Sequence, residues 1–277
     1  MSHRFLLLLV MSVQVYTAAA WNMQGHHIVA QIAYDHLTPE AREFCAQNLG
    51  LRKSSGLESR FVYSASWLDS IRFRSIHWYD AYHYIDLPFS EDNTPLPALE
   101  TTNAVAAINQ ALKILRHQLP KKDEKKLALK MLIHVVGDIH QPLHAANRVS
   151  TEHPTGDLGG NLFPLGANSI GTNLHQYWDN GGGYFRGFKK LGAIKKRARE
   201  IESKWPCGQV DISTAPSNWA RVAHELAVSR VYSIKPNQSP NFAYQQMAVN
   251  ISQKQTASAG CRLAALLNDL SVPSLAY

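Results

Sequence analysis

Apolar residues recur at helical spacing along most of this chain. In GHHIVAQIAYDHL, Ile28, Ile32 and Leu37 fall near one face, as a 3.6-residue period requires. The following run, TPEAREFCAQNLG, carries its own punctuation: Thr38 as N-cap, Pro39 at the first helical position and Gly50 as terminator. The same period predicts helices in FVYSASWLDSIRF, LPALETTNAVAAINQALKILRHQL, KKLALKMLIHVVGDIH, FKKLGAIKKRAREIESKW, SNWARVAHELAVSRVY and FAYQQMAVNISQKQTASAGCRLAALLNDL. Alternating strand signals are nearly absent. Two irregular stretches interrupt the pattern, HYIDLPFSEDNTPLP at 83–97 and AANRVSTEHPTGDLGGNLFPLGANSIGTN at 145–173. The second is long for a loop inside a compact domain, and such loops commonly carry function. Its Gly159, Gly160 and Asn161 suit a close backbone approach to a ligand, or an ordinary turn. Without repeats or low-complexity tracts, the pattern predicts a single all-α domain.

The first twenty residues follow another rule. His3 and Arg4 precede the apolar FLLLLVMSVQV, and Ala18 and Ala20 form an A-x-A site. The run is shorter than the roughly 20 apolar residues that span a bilayer. It predicts a signal peptide over 1–20, a secreted or periplasmic domain over 21–277, and a free α-amine on Trp21 after cleavage.

Composition narrows the class. Only 18% of residues are charged and 45% are hydrophobic, enough to build a core. The formal net charge of +7 falls by one once Arg4 departs, and still favours a polyanionic partner. Three cysteines are too few for a disulfide scaffold, and none lies in a C-x-x-C pair. At most one bridge can form within the chain; Cys207 with Cys261 is preferred, leaving Cys45 on a helix. The 13 histidines are the better supply of metal ligands.

The chemistry concentrates in HVVGDIHQPLH. His134 and Asp138 are four apart, so on a helix both project from one face about one turn apart. Pro142 ends or bends that helix and can swing His144 back toward Asp138. NLHQYWDN repeats the spacing with His175 and Asp179, while WLDSIR and HYID add Asp69 and His83. A lone pair at this spacing is as easily a surface hydrogen bond. Together these carboxylates and imidazoles make the mixed nitrogen and oxygen set that suits zinc. Asp138 has two oxygens and can bridge two ions, the arrangement used for in-line displacement at phosphorus.

In chain order, W-x4-H, WLDSIR, HYID, HVVGDIHQPLH, GDLGGN and NLHQYWD resemble the S1/P1 nucleases, a family of secreted zinc enzymes. The resemblance runs from Trp21 to Asp179, and AGCRLAALLNDL is similar to the family's C-terminal helix. It implies an all-α fold of the phospholipase C/P1 nuclease type and three zinc ions per chain. Asp69, His83, His134 and Asp138 would hold the first ion, and His144, His175 and Asp179 the second. The third would take the amine and carbonyl of Trp21, His26, and the other oxygen of Asp138. Arg72 would contact the scissile phosphate, so Asp69 and Arg72 are the implied catalytic pair. Tyr84 would stack on a base that Asp86 reads at its edge, with Gly159 and Asn161 closing the pocket.

The implied activity is cleavage of single-stranded RNA and DNA to 5′-phosphorylated products, with 3′-nucleotides as further substrates, by a monomer without stable membrane association. Two alternatives stand beside it. A zinc phospholipase C has a related fold and a mature N-terminal tryptophan, but it has glutamate where Asp179 stands and lacks the GGN and HYID motifs. A zinc-sequestering protein without catalysis needs neither Arg72 nor the base pocket.

Overall fold

The computed structural model describes residues 21–51, 56–72, 76–117, 119–213 and 215–272. The expected signal peptide, 1–20, lies outside them. The described residues form ten α-helices, joined by 3-10 turns and one pair of short strands. In chain order the helices are α1 (Met23–Asp35), α2 (Pro39–Leu49), α3 (Leu57–Ser64), α4 (Trp67–Arg72), α5 (Ala104–Arg116), α6 (Lys122–Asp138), α7 (Leu174–Asp179), α8 (Leu191–Lys204), α9 (Pro216–Ser229) and α10 (Phe242–Ser271). The chain is all-α, as the apolar period predicts.

Caps account for several boundaries. The Asn22 side chain accepts from the N–H groups of Gln24 and Gly25 and starts α1. Thr38 caps α2 from Ala41 N–H, and Gly50 closes it in the left-handed region at φ 78°. Two expected helices differ. LPALETTNAVAAINQALKILRHQL is helical only from Ala104, because Asn103 accepts from Ala106 N–H and sets the start there. FVYSASWLDSIRF divides into α3 and α4 around Ala65 and Ser66. That division frees the Ala65 carbonyl, which accepts from a ring nitrogen of His134.

Helix α1 packs against α3, α8 and α10, and α5 pairs with α6. The main core draws on Ile28, Ile32, Phe61, Leu68, Ile108, Leu129 and Leu263, all fully buried or nearly so. Such burial is the main favourable term in the fold. A smaller apolar cluster of Phe89, Leu143, Phe163, Trp178, Tyr232 and Tyr244 lies under the strand pair. Those strands, β1 (Pro88–Ser90) and β2 (Asn147–Val149), run parallel with Pro88 opposite Asn147. They lie in the two stretches that read as irregular, since three residues are too few to show a period. The pairing draws HYID against the GDLGGN loop. Cys207 and Cys261 form the disulfide, with Cα atoms 5.4 Å apart, and Cys45 is a buried thiol on α2.

Candidate metal centre

The last turns of α6 are apolar and buried, so His134 and Asp138, both 0% exposed, face the interior. Helical spacing brings His134 Nε2 to 3.2 Å from Asp138 Oδ2. His83, at the end of a 3-10 turn, places Nδ1 3.0 Å from that oxygen and 3.0 Å from His134 Nε2. Asp69 Oδ1, from α4, lies 3.8 Å from both ring nitrogens. Ligand atoms at the corners of a zinc tetrahedron, roughly 2.0 to 2.1 Å from the ion, are about 3.3 Å apart. These separations fit one such ion.

The second oxygen of Asp138 faces His26 on α1, with Nε2 3.1 Å from Oδ1 and 4.0 Å from Asp69 Oδ2. Asp138 therefore stands between two groups of ligands. Gly137 makes this approach possible, because a Cβ there would meet His26 Nδ1 at 3.0 Å. His26 Nε2 and Asp138 Oδ1 are buried with only each other in hydrogen-bond reach, and the buried Asp69 Oδ1 has no hydrogen-bond partner among the described residues. Leaving such atoms unmatched is costly, and a cation among them would satisfy all three. A third group is formed by His144, His175 and Asp179, whose ligand atoms lie within 4.8 Å of one another. Pro142 ends the helical path as expected, and the turn carries His144 into this group, near enough to Asp138 to feel its charge.

Backbone carbonyls set the imidazoles. The Nδ1 atoms of His134, His144 and His175 donate to the carbonyls of Ala65, His83 and Gly159. Each bond assigns the proton to Nδ1 and makes Nε2 the atom that can ligate, the usual support of a metal-binding histidine. Electrostatics agree at His144 and His26, whereas at His134 burial lowers the pKa but Asp138 and Asp69 outweigh it and raise it to about 9, holding a proton that a cation would displace. Burial, then the neighbouring His175, lowers His144 to about 3. Burial, then His134, lowers His26. Burial opposes ionisation of Asp138, yet His134 and His26 hold its carboxyl well below the usual carboxylate range. Asp179 is pushed well above that range by burial, against the pull of the Gln141 hydrogen bond. A cation favours the ionised carboxylate and neutral imidazoles here.

Trp21 is fully buried against Phe185 at the head of α1, and the next residue, Asn22, donates its N–H to the Asp179 carbonyl at 2.9 Å. This puts the start of α1 beside the third group. Arg72 ends α4, one turn after Asp69, and its Nε lies 2.9 Å from Asp80 Oδ1. Tyr84 is half-buried, and its carbonyl accepts from Ala104 N–H. Asp86 sits at φ 46°, its pKa raised to about 7 by burial and then by Asp157. Gly159 lies at φ 60° with its carbonyl on His175, so it serves the third group directly. Asn161 turns back on its own loop, donating to the Leu158 carbonyl.

Residues 21–271 match the family model described as S1/P1 nuclease. The chain belongs to the S1/P1 nuclease family. It is similar to nuclease S1 of Aspergillus oryzae, 28% identical over 90% of this chain and 91% of that enzyme. Endonuclease 4 of Arabidopsis thaliana is 26% identical over 95% of this chain and 93% of its own length. Nuclease P1 of Penicillium citrinum is 30% identical over 57% of each chain. The family consists of metal-dependent hydrolases of phosphodiester bonds, and the buried His and Asp groups are the places that can hold metal.

In this S1/P1 nuclease, four supporting residues escape a reading of the sequence. Asp80 holds Arg72, yet in WYDAYHYI it resembles a helix-capping acid. Gln141 donates to Asp179 Oδ1 at 2.7 Å while its own oxygen accepts from Leu143 N–H. Asp157, 2% exposed, takes the N–H groups of Arg148 and Gly160 and the Tyr232 hydroxyl, which shapes the GDLGGN turn. Gly137 gives His26 room. Only Gln141 and Asp157 had a visible signal, as polar residues inside QPLH and GDLGGN.

Proposed function

We propose that this chain is a secreted, three-zinc nuclease that cuts single-stranded RNA and DNA and removes phosphate from 3′-nucleotides. The observation that carries the reading is Asp138, whose two oxygens face separate ligand groups, 3.0 Å from His83 and 3.1 Å from His26. A carboxylate shared in this way would serve two ions, as phosphoryl-transfer sites require. Asp69, His83, His134 and Asp138 would hold one zinc, and His144, His175 and Asp179 a second. His26, Asp138 and the main chain of Trp21 would hold the third, with the amine that cleavage after Ala20 exposes. Zinc bound there would supply an acidified water for attack on phosphorus and offset the charge of the departing oxygen.

The protein's own groups do the rest. Arg72, steadied by Asp80, is aimed to bond a phosphate oxygen and to match charge that grows in the transition state. Tyr84 would offer a ring for base stacking, with Asp86 and the turn at Gly159 and Asn161 completing the pocket. A base must leave any stack to reach this place, which costs a few kcal/mol in a duplex and favours single strands. Breakage of the bond between O3′ and phosphorus leaves the phosphate on the 5′ side of the product.

The test is cleavage of labelled single-stranded and duplex oligonucleotides by purified, zinc-loaded protein, with metal analysis and N-terminal sequencing of the same sample. About three zinc ions per chain, a first residue of Trp21, and 5′-phosphorylated products from single strands are expected. A methionine added before Trp21 should remove one zinc and most of the activity. Folded, zinc-loaded protein that leaves single strands uncut would overturn the reading.

A further inference from the structure

A second cleft lies apart from the metal centre. It encloses about 360 Å³ between the end of α8, the loop of the Cys207–Cys261 bridge, and helices α9 and α10. That volume falls in the range of small-molecule sites. Its walls combine an aromatic ring, Trp205, and the apolar Val222, Leu226 and Ile251 with the cations Lys254 and Arg262. None of the residues assigned to metal, phosphate or base in the proposed reaction lines it.

Three features give this cleft a ligand chemistry. The Trp205 ring carries the Lys254 ammonium 5.4 Å and the Lys204 ammonium 5.8 Å from its centroid, so positive charge borders a stacking surface. Gln255, 5% exposed, lines the cavity, and its Nε2 donates to the His140 carbonyl, which fixes the side-chain amide in the wall. Arg262 is held by the Asp211 carbonyl, by His140 Nε2 at 2.8 Å and over the Trp219 ring. The floor is thus preorganised before any ligand arrives. Against the cations stands Asp211, whose Oδ1 accepts from the backbone and hydroxyl of Ser213. Ring, cation and a fixed side-chain amide together fit an aromatic base that bears a phosphate.

We propose that this cleft binds a nucleoside monophosphate unit, with its base against Trp205, its edge toward the Gln255 amide and its phosphate toward Lys254. The inference rests on the proposed nuclease activity only for the source of the ligand. Such a unit is either a released product or one residue of a longer strand, and the chemistry of recognition is the same.

The experiment is a titration of zinc-loaded, ¹⁵N-labelled protein followed by the indole signals of its six tryptophans, with Trp205→Phe as the assignment standard. Adenosine 5′-monophosphate should shift the Trp205 signal saturably. Adenosine and inorganic phosphate should each bind at least about fivefold more weakly, and Lys254→Ala should weaken the nucleotide by about fivefold. A nuclease-resistant phosphorothioate tetramer that binds more tightly than the monophosphate marks a strand as the source; equal affinity marks the free product. The proposal fails if the nucleotide shifts only Trp21 and Trp178, beside the metal groups, if phosphate alone matches it, or if Lys254→Ala binds equally well. Failure of the titration with cleavage intact removes only the cleft, whereas absence of cleavage in loaded wild-type protein removes the nuclease reading.

Discussion

Replacing Gly159 by alanine tests how the third ligand group is held. At φ 60° an L side chain costs roughly 1 to 2 kcal/mol. The added Cβ would also stand 2.5 Å from the Leu143 carbonyl oxygen, a contact that side chains do not tolerate below 3.0 Å. The turn must therefore shift by at least about half an ångström, and overpacking of this kind typically adds about 1 to 3 kcal/mol. The Gly159 carbonyl that moves is the one accepting from His175 Nδ1 at 2.7 Å. Loss of such support typically costs about 10- to 100-fold in metal affinity. Gly187→Ala is the control, since Gly187 has φ 87° and nothing within 4 Å of its Cβ position. At about 2 to 4 °C per kcal/mol, the control should lose about 2 to 8 °C in Tm and keep its metal. Gly159→Ala should lose more and release one metal ion at lower chelator concentration. Equal melting points and equal metal content in the two variants would refute the reasoning.

Other perturbations test other parts of the centre. Asp80→Asn should lower the cleavage rate about tenfold while metal content stays at the wild-type level, because the ion pair that orients the Arg72 Nε is weakened and no ligand changes; a normal rate counts against that role. Chelation should lower Tm by about 8 to 16 °C per tightly bound ion, reversibly on zinc addition, as expected for roughly 4 kcal/mol of binding to the native state alone. An unchanged melting curve would argue that the buried groups are satisfied without metal. The Asp86 pKa is raised to about 7, so the folded state prefers its protonated form, and stability falls as pH rises from the unfolded carboxylate value through 7. Asp86→Asn should match wild type in Tm near pH 4 and exceed it above pH 7. The gap is bounded by about 4 kcal/mol and reduced by partial exposure; a gap that does not grow with pH rules the shift out.

The helices were legible wherever an apolar period met a capping residue, as at Thr38 and Gly50. The His134 and Asp138 pair was legible because i and i+4 share a face whatever the fold does. What could not be read was anything set by two distant backbones. The break at Ala65 follows no local helix-stop signal; its use appears only when the freed carbonyl meets His134, 69 residues along the chain. The partner of His144 depends on where α7 lies, which Pro142 does not specify. The β1 and β2 pairing, the Gln141 bond to Asp179 and the grip of Asp80 on Arg72 likewise arise from approach in space, not from spacing in the chain.

Asp138 belongs to two ligand groups, whereas His144, His175 and Asp179 share no atom with either. The centre is therefore part fused and part modular. Drift at His144 or Asp179 can retune or abandon one position and leave the rest intact. Any change at Asp138 strikes two positions in one event, so the chain has no gradual route away from that pair.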